Sequence, residues 1–396
     1  MAPSPVLVIN SGSSSLKFAL IEPKSGAILR HGLAERLNAS GARLATDSTT
    51  TDLPDGASHA DALDRILAEI GPQKLLAVGH RVVHGGEAFA ESVILDDDKV
   101  RAIEACSELA PLHNPANLLG IEVARRRFSS VPQIAVFDTA FHQTLPPKAY
   151  VYAIPYDLYQ RHQIRRYGFH GTSHRYVAGE AAQRLGKTLG ELELLTAHLG
   201  NGCSACAIRG GRSVDTTMGL TPLEGLVMGT RSGDVDPNLH QFVHEKTGKS
   251  LADVTDMLNR ESGLLGVSGK SNDMRSLLEA SARGDARAKL AIEIFVHRLA
   301  KGLLGLSASL ERVDALVFTG GIGEHAAAVR ADTLAAMRVL RPELDPELNR
   351  THGAGARGRI TREGSPLLAL VVPTNEELVI AREAARLAGE SDVSSS

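Results

Sequence analysis

The sequence predicts an α/β protein built from two related halves, on three observations. Short apolar runs of strand length alternate with helical stretches along the whole chain. A strand, a turn of small polar residues and a second strand occur twice, at 6–21 and at 194–217. At 396 residues the chain exceeds the size at which a single core stops growing, so two domains are expected. Two phosphate-facing hairpins, one in each half, suggest a duplicated unit gripping one polyphosphate between the halves.

Composition narrows the function. Hydrophobic content of 43% with 22% charged residues is that of a soluble globular protein. Lys and Arg number 43 against 46 Asp and Glu, a net charge of −3, which argues against a nucleic-acid partner. Any arginines that handle phosphate must act locally. No apolar run reaches the roughly 18 residues that span a membrane, and none of the cues of a leader is legible, so a cytoplasmic protein with no membrane partner is expected. Three cysteines are too few for a disulfide framework. Cys203 and Cys206 have redox or metal spacing, but zinc would need two more ligands and a buried strand explains the pair.

In chain order, Val6–Ile9 and Leu16–Ile21 read as strands around Asn10-Ser11-Gly12-Ser13-Ser14-Ser15. Asn10, Ser13, Ser15 and Lys17 offer donors to an anion there. Residues 35–58 carry little pattern and read as an irregular or strand-bearing excursion. A helix from Ala60 to Ile70 ends at Gly71-Pro72, and the strand Leu75–Val78 delivers Gly79-His80-Arg81-Val82-Val83. Arg81 either pairs with a structural carboxylate or awaits an anionic ligand. Helices are expected at Asp97–Leu109 and Pro115–Phe128, and His113 between them serves as a helix cap or as a site residue. The strand Ile134–Phe137 ends in Asp138, which fits either a helix N-cap or a ligand group at a carboxyl strand end.

Pro- and Tyr-rich sequence near 140–165 marks a domain boundary. His170, beside glycines at the start of a helix running to Leu185, is placed to meet a phosphoryl group. The strand Leu194–Ala197 leads through His198 into Gly200-Asn201-Gly202, a phosphate-loop signature without lysine, inside a hairpin rather than ahead of a helix. Arg231 follows in Gly-Thr-Arg-Ser-Gly. Helices are expected at Leu251–Leu258 and at Ser276–Leu310 with a pause near Gly284. Gly266–Ser271 mimics a phosphate-binding P-loop but lacks its first glycine and a feeding strand. Asp314–Phe318 opens into Gly320-Gly321-Ile322-Gly323-Glu324-His325, which mimics a dinucleotide fingerprint but has too little βα repetition after it. A nucleotide resting on that turn is the milder reading. The strand Leu367–Val372 ends at Thr374-Asn375-Glu376-Glu377 and a helix to Leu387. Asp138 and Glu376 are hard oxygen ligands suited to Mg²⁺, and no nucleophile triad is legible, so phosphoryl transfer by positioning and charge neutralisation is the chemistry expected.

The motifs VLVINSGSSSLKF, GHRVVHGGE, LHNP, FDTAFH, YGFHGTSH, HLGNG, MGTRSGDVDP, FTGGIGEH and PTNEEL, in this order over nearly the whole chain, resemble the acetokinase family of the sugar kinase, Hsp70 and actin superfamily. The resemblance implies duplicated ribonuclease H-like (actin-like ATPase) domains with a cleft between them. It implies a first domain at 1–150 completed by a C-terminal helix 376–390, a second at 151–375, and a disordered tail at 391–396. The implied reaction is in-line transfer between ATP and acetate, with Mg²⁺ or substituting Mn²⁺, in a homodimer. Asn10, Asp138 and Glu376 would hold the metal; Arg81, His113, His170 and Arg231 would join Asn10 and Asp138 as catalytic residues. Arg81, Val83, Leu112, Phe169 and Pro222 would bind the acyl group. Ser13, Ser15, Lys17, His198, Gly200, Asn201, Gly202, Asp273, Met274, Arg275, Gly321, Ile322, Gly323 and His325 would bind ATP. His325 stands where many members have Asn, and Met274 where many have Phe.

Overall fold

A computed structural model describes residues 4–71, 74–111 and 113–394. The chain divides into two compact units: residues up to Gln143 together with those from Asn375 onward, and Thr144–Thr374.

The first unit contains strands β1 (Val6–Gly12), β2 (Ser15–Ile21), β3 (Ile28–Glu35), β4 (Arg43–Thr46), β5 (Thr50–Asp52), β6 (Ala77–Val82), β7 (Val93–Ile94) and β8 (Gln133–Phe137). They form one sheet in the order β5-β4-β3-β2-β1-β6-β8-β7. β1 to β5 follow one another antiparallel, while β6 and β8 run parallel to β1. The weakly patterned segment 35–58 therefore holds two strands, and β3 was not legible because its first four residues are exposed and show no alternation. Helix α1 (His59–Ile70) opens on a capping box in which Ser58 and Asp61 bond each other's backbone N–H. Its Leu63 and Ile66 join Leu7, Ile9, Phe18 and Leu20 of the sheet in one buried cluster, the burial that makes this amphipathic helix stable. Helix α2 (Asn114–Arg127) adds Val123 and Ala124 to that cluster, and Ile121 to a second one around the stacked rings of Phe89 and Phe137. The C-terminal helix, Glu376–Ser394, packs on β6, β1 and β8, and it runs past Leu387 into the segment expected to be a disordered tail.

The second unit has strands β9 (Glu193–Leu199), β10 (Cys203–Arg209), β11 (Arg212–Thr216), β12 (Ala315–Thr319) and β13 (Leu368–Val371), in the order β11-β10-β9-β12-β13. β9, β10 and β11 are antiparallel, and β12 and β13 run parallel to β9. The arrangement three-two-one-four-five is the one made by β3-β2-β1-β6-β8, so both units are ribonuclease H-like and the fold class is borne out. Helix α3 (Gly171–Leu185) and helix α4 (Ala286–Ser307) pack against this sheet. The expected pause near Gly284 separates α4 from a preceding helix, Met274–Ala282. The P-loop mimic begins in the last turn of a short helix, Gly263–Ser268, and runs past its end at Gly269. Among the described residues no helix is long and apolar enough to cross a membrane.

Candidate active site

In the first unit, β1 and β2 pair without a break from Val6–Ile21 to Gly12–Ser15, so the serine turn is a tight hairpin tip with Ser13 exposed. Asn10 lies opposite Lys17 in that register. Lys17 Nζ is 2.7 Å from Glu377 at the start of the C-terminal helix. Two asparagines of α2 hold this end of the sheet. Asn117 accepts from the Val83 N–H at 3.0 Å and donates to the Ser11 carbonyl at 2.7 Å, tying the loop after β6 to the β1 turn. Asn114 brackets His84 by accepting from its N–H and donating to its carbonyl. Neither asparagine was singled out from the sequence, where an Asn in a helix has no distinguishing pattern.

Of the two roles left open for Arg81, the structure shows the carboxylate pairing. Its Nε and Nη2 donate to the two oxygens of Asp138 at 3.0 and 2.7 Å, and Glu376 lies 4.0 Å from Nε. Asp138, at the end of β8, is therefore an ion-pair partner rather than a helix cap. Burial pushes its carboxyl up while Arg81 opposes the shift, and Asp138 and Glu376 together hold Arg81 firmly protonated. His113 adds a further positive influence on Asp138, and it stands at the N-cap of α2 without a side-chain cap bond. Two hard carboxylates converging on one guanidinium fit a site for Mg²⁺, which takes one or two carboxylates with phosphate oxygens and water. Among the described residues no group of three His, Cys, Asp or Glu could hold a metal by itself.

In the second unit, His170 sits just before α3 in the left-handed conformation (φ 56°), a cost a non-glycine residue accepts where surroundings fix it. Its ring stacks on that of His198 at 4.3 Å, and its Nδ1 lies 2.9 Å from Ser204 Oγ. His198 Nδ1 lies 2.8 Å from Ser173 Oγ, itself 2.8 Å from Thr374 Oγ1. β9 and β10 close around Gly200-Asn201-Gly202 as a hairpin, as expected, with Gly200 N donating to Gly202 O. A Cβ on Gly202 would come within 2.7 Å of Arg231 Nη2 and 3.2 Å of His170 Nε2, so glycine is what lets these two groups close on the loop.

Arg231 Nη1 donates to the Pro222 carbonyl at 2.7 Å. Burial pulls its pKa down, and among the described residues no carboxylate pairs with it; only Cys203 opposes the shift. A guanidinium stays charged, so this is a half-buried cation with no paired carboxylate among the described residues. Its loop, between β11 and Leu239, has no regular structure and is held by side chains the sequence did not reveal. Glu224 binds both Tyr152 and Arg166, Arg166 donates to the carbonyls of Thr217 and Met218, and Tyr152 Oη accepts from Leu220 N. The cluster of tyrosines taken as a domain boundary was the available signal.

The other expected nucleotide contacts divide. Asn201 Oδ1 accepts from Asn272 at 3.1 Å, bringing the glycine loop to the segment before Asp273. Asp273 is the N-cap of its helix, and Met274 is buried in the core, so their side chains already have structural work. Gly320–His325 forms a short helix directly after β12. Gly320 N and Thr374 N both donate to Glu324, and His325 packs edge-on to His352. Gly321 and His325 are exposed and Gly323 is buried. Of the expected acyl pocket, Val83 is half-buried, Phe169 wholly buried and Pro222 half-buried, while Leu112 lies outside the described residues. Cys203 and Cys206 are buried in β10, where burial pushes both thiols up to about 12.

The acetokinase family model matches residues 5–382. The acetate kinase of Deinococcus radiodurans is 53% identical over 97% of the chain and 98% of its own length. Among solved structures, a propionate kinase from Francisella tularensis is similar with a TM-score of 0.92 and 45% identity, covering 97% of this chain and 100% of that one. The acetate kinase of Porphyromonas gingivalis is similar with a TM-score of 0.91 and 40% identity, covering 97% and 99%.

Proposed function

The chain belongs to the acetokinase family, and from that premise we propose that it transfers a phosphoryl group reversibly from ATP to acetate, giving ADP and acetyl phosphate. The observation that carries this reading is Arg231, a half-buried guanidinium beside His170 and Gly202 with no carboxylate partner among the described residues. Such a group is suited to charge that arrives with a substrate.

In this mechanism a carboxylate oxygen of acetate attacks the γ-phosphorus in line, a P–O bond forms, and the bond to ADP breaks. Arg81 and Arg231 hold the acyl carboxylate and the charge of the transition state, His170 donates to the phosphoryl and His113 supports it. Arg81 keeps its geometry because Asp138 grips it from two sides. Val83, Phe169 and Pro222 line the methyl pocket. Asn10, Ser13, Ser15 and Lys17 serve the transferred phosphate; His198, Gly200–Gly202, Asp273–Arg275, Gly321–Gly323 and His325 serve the nucleotide. Asp138 and Glu376, with Asn10, would hold Mg²⁺ or Mn²⁺, which when bound neutralises phosphate charge. The protein works in the cytoplasm as a homodimer, in keeping with its three free thiols.

The similarity to a propionate kinase favours one second reading, a larger acyl group, since a methylene is worth only about 1–3 kcal/mol of discrimination. A hydroxamate assay for acyl phosphate over acetate, propionate and butyrate tests both. The highest kcat/KM is expected for acetate. A clear propionate preference replaces the substrate, and ATP hydrolysis with no acyl phosphate from any acid overturns the reaction.

A further inference from the structure

We propose that Thr196, His174 and Ser204 form a single-file hydrogen-bond array that holds His170 as the neutral tautomer with its proton on Nε2, ready to donate to a phosphoryl oxygen. The array lies wholly within the second unit. Thr196 Oγ1 is 2.7 Å from His174 Nδ1, His174 Nε2 is 2.8 Å from Ser204 Oγ, and Ser204 Oγ is 2.9 Å from His170 Nδ1. Thr196, His174 and Ser204 are all buried, so these contacts are made away from solvent.

Two hydroxyls and two neutral imidazoles in this order admit two consistent arrangements of protons. In one, Thr196 donates to His174, His174 to Ser204 and Ser204 to His170 Nδ1, which leaves the His170 proton on Nε2. In the other every bond reverses, His170 Nδ1 donates, and its Nε2 carries only a lone pair. The reversed order leaves the Thr196 hydroxyl proton to the Cys206 carbonyl at 3.5 Å, the outer limit of a hydrogen bond. The forward order uses that proton at 2.7 Å.

The far end of the array points the same way. His170 Nε2 and Arg231 Nη2 are the atoms that a Cβ on Gly202 would meet, so both border the same glycine. A lone pair there would repel an anionic phosphoryl, whereas an N–H adds a second donor beside Arg231. The titratable and charged groups that face His170 include His198 stacked on it, Arg231 across Gly202, and His174 through Ser204. The positive charge of Arg231 opposes a second proton on His170 and favours a neutral donor. Ser204 and His174 are thus positioning residues, acting through His170. The inference rests on His170 meeting the phosphoryl as described under the proposed function.

The test is the ¹⁵N NMR spectrum of histidine-labelled protein at neutral pH, with His170→Asn identifying the resonance. Protonated Nε2 and bare Nδ1 are expected; the reverse pattern, or an even mixture of tautomers, overturns the proposal. Ser204→Ala and His174→Phe break the array, so that neutral His170 is no longer held to one tautomer. In each, the spectrum at neutral pH should move towards a mixture of the two tautomers and kcat should fall about twofold, with KM for ATP little changed. His174→Gln, whose amide can still donate to Ser204, should restore most of the loss. A wild-type tautomer pattern in both disrupted variants overturns the proposal, and if either fails to fold the wild-type spectrum decides. Absence of acyl phosphate from the wild-type enzyme would refute the reaction and leave the tautomer result standing.

Discussion

At the scale of single residues, two arginines that look alike in sequence differ in what holds them. Arg81 is bound on two sides by Asp138, whereas Arg231 rests on the carbonyl of Pro222. Arg231→Ala should therefore lower kcat about 10²–10³-fold with the melting temperature nearly unchanged. Arg81→Ala should lower activity and also cost about 3–5 kcal/mol, because it strands Asp138 as a buried charge. Kinetics and denaturant melts on both variants separate the two; equal stability losses would show that the ion pair is not structural. His80, one residue before Arg81, is buried against Gln133 at 2.9 Å, and burial lowers its pKa from 6.5 to about 4. The folded state disfavours its proton, so the associated stability is complete above about pH 6.5 and is lost as pH falls towards about 4. At about 1.4 kcal/mol per pH unit, that is a loss of roughly 3 kcal/mol. Urea unfolding across that range should show a steeper acid decline in the wild type than in His80→Gln.

At the scale of elements, the glycine loop between β9 and β10 shows what a hairpin contributes. Its register brings Leu199 opposite Cys203 and leaves three residues to turn, the middle one held by Asn272. Gly202→Ala would place a methyl against the flexible end of Arg231 and the ring of His170. The side chain can move aside, so stability should hold while kcat falls about tenfold or more, as misplacement of a charge-stabilising donor predicts. An unaltered kcat would show that Arg231 does not need to approach this loop. The hairpin was legible because two apolar runs flank a Gly-Asn-Gly turn. The β11–Leu239 loop was not, since Tyr152 and Arg166 meet Glu224 there across 72 and 58 residues, separations no local pattern records.

For the whole molecule, the repeated sheet order explains why a hairpin with a turn of small residues occurs at two places in the chain: each is the first turn of a ribonuclease H-like unit. The same burial that builds these sheets silences the thiols. Cys203 and Cys206 lie in a central strand with their pKa near about 12, and burial raises Cys106 as well. A thiol reagent at neutral pH should label none of the three in the native protein and all of them in denaturant; rapid native labelling would contradict the packing. By itself, the sequence determined the strand and helix periodicity, the duplication and the family motifs, because these are carried by neighbours along the chain. It also named Arg81, Asp138, His170 and Arg231, while leaving open what Arg81 and Asp138 bind. Only the tertiary structure paired those two, placed Asn114 and Asn117 behind the first turn, and set Thr196, His174 and Ser204 in line with His170. Those choices depend on side chains brought together by sheet register and helix packing, which act through space and leave no spacing in the sequence to read.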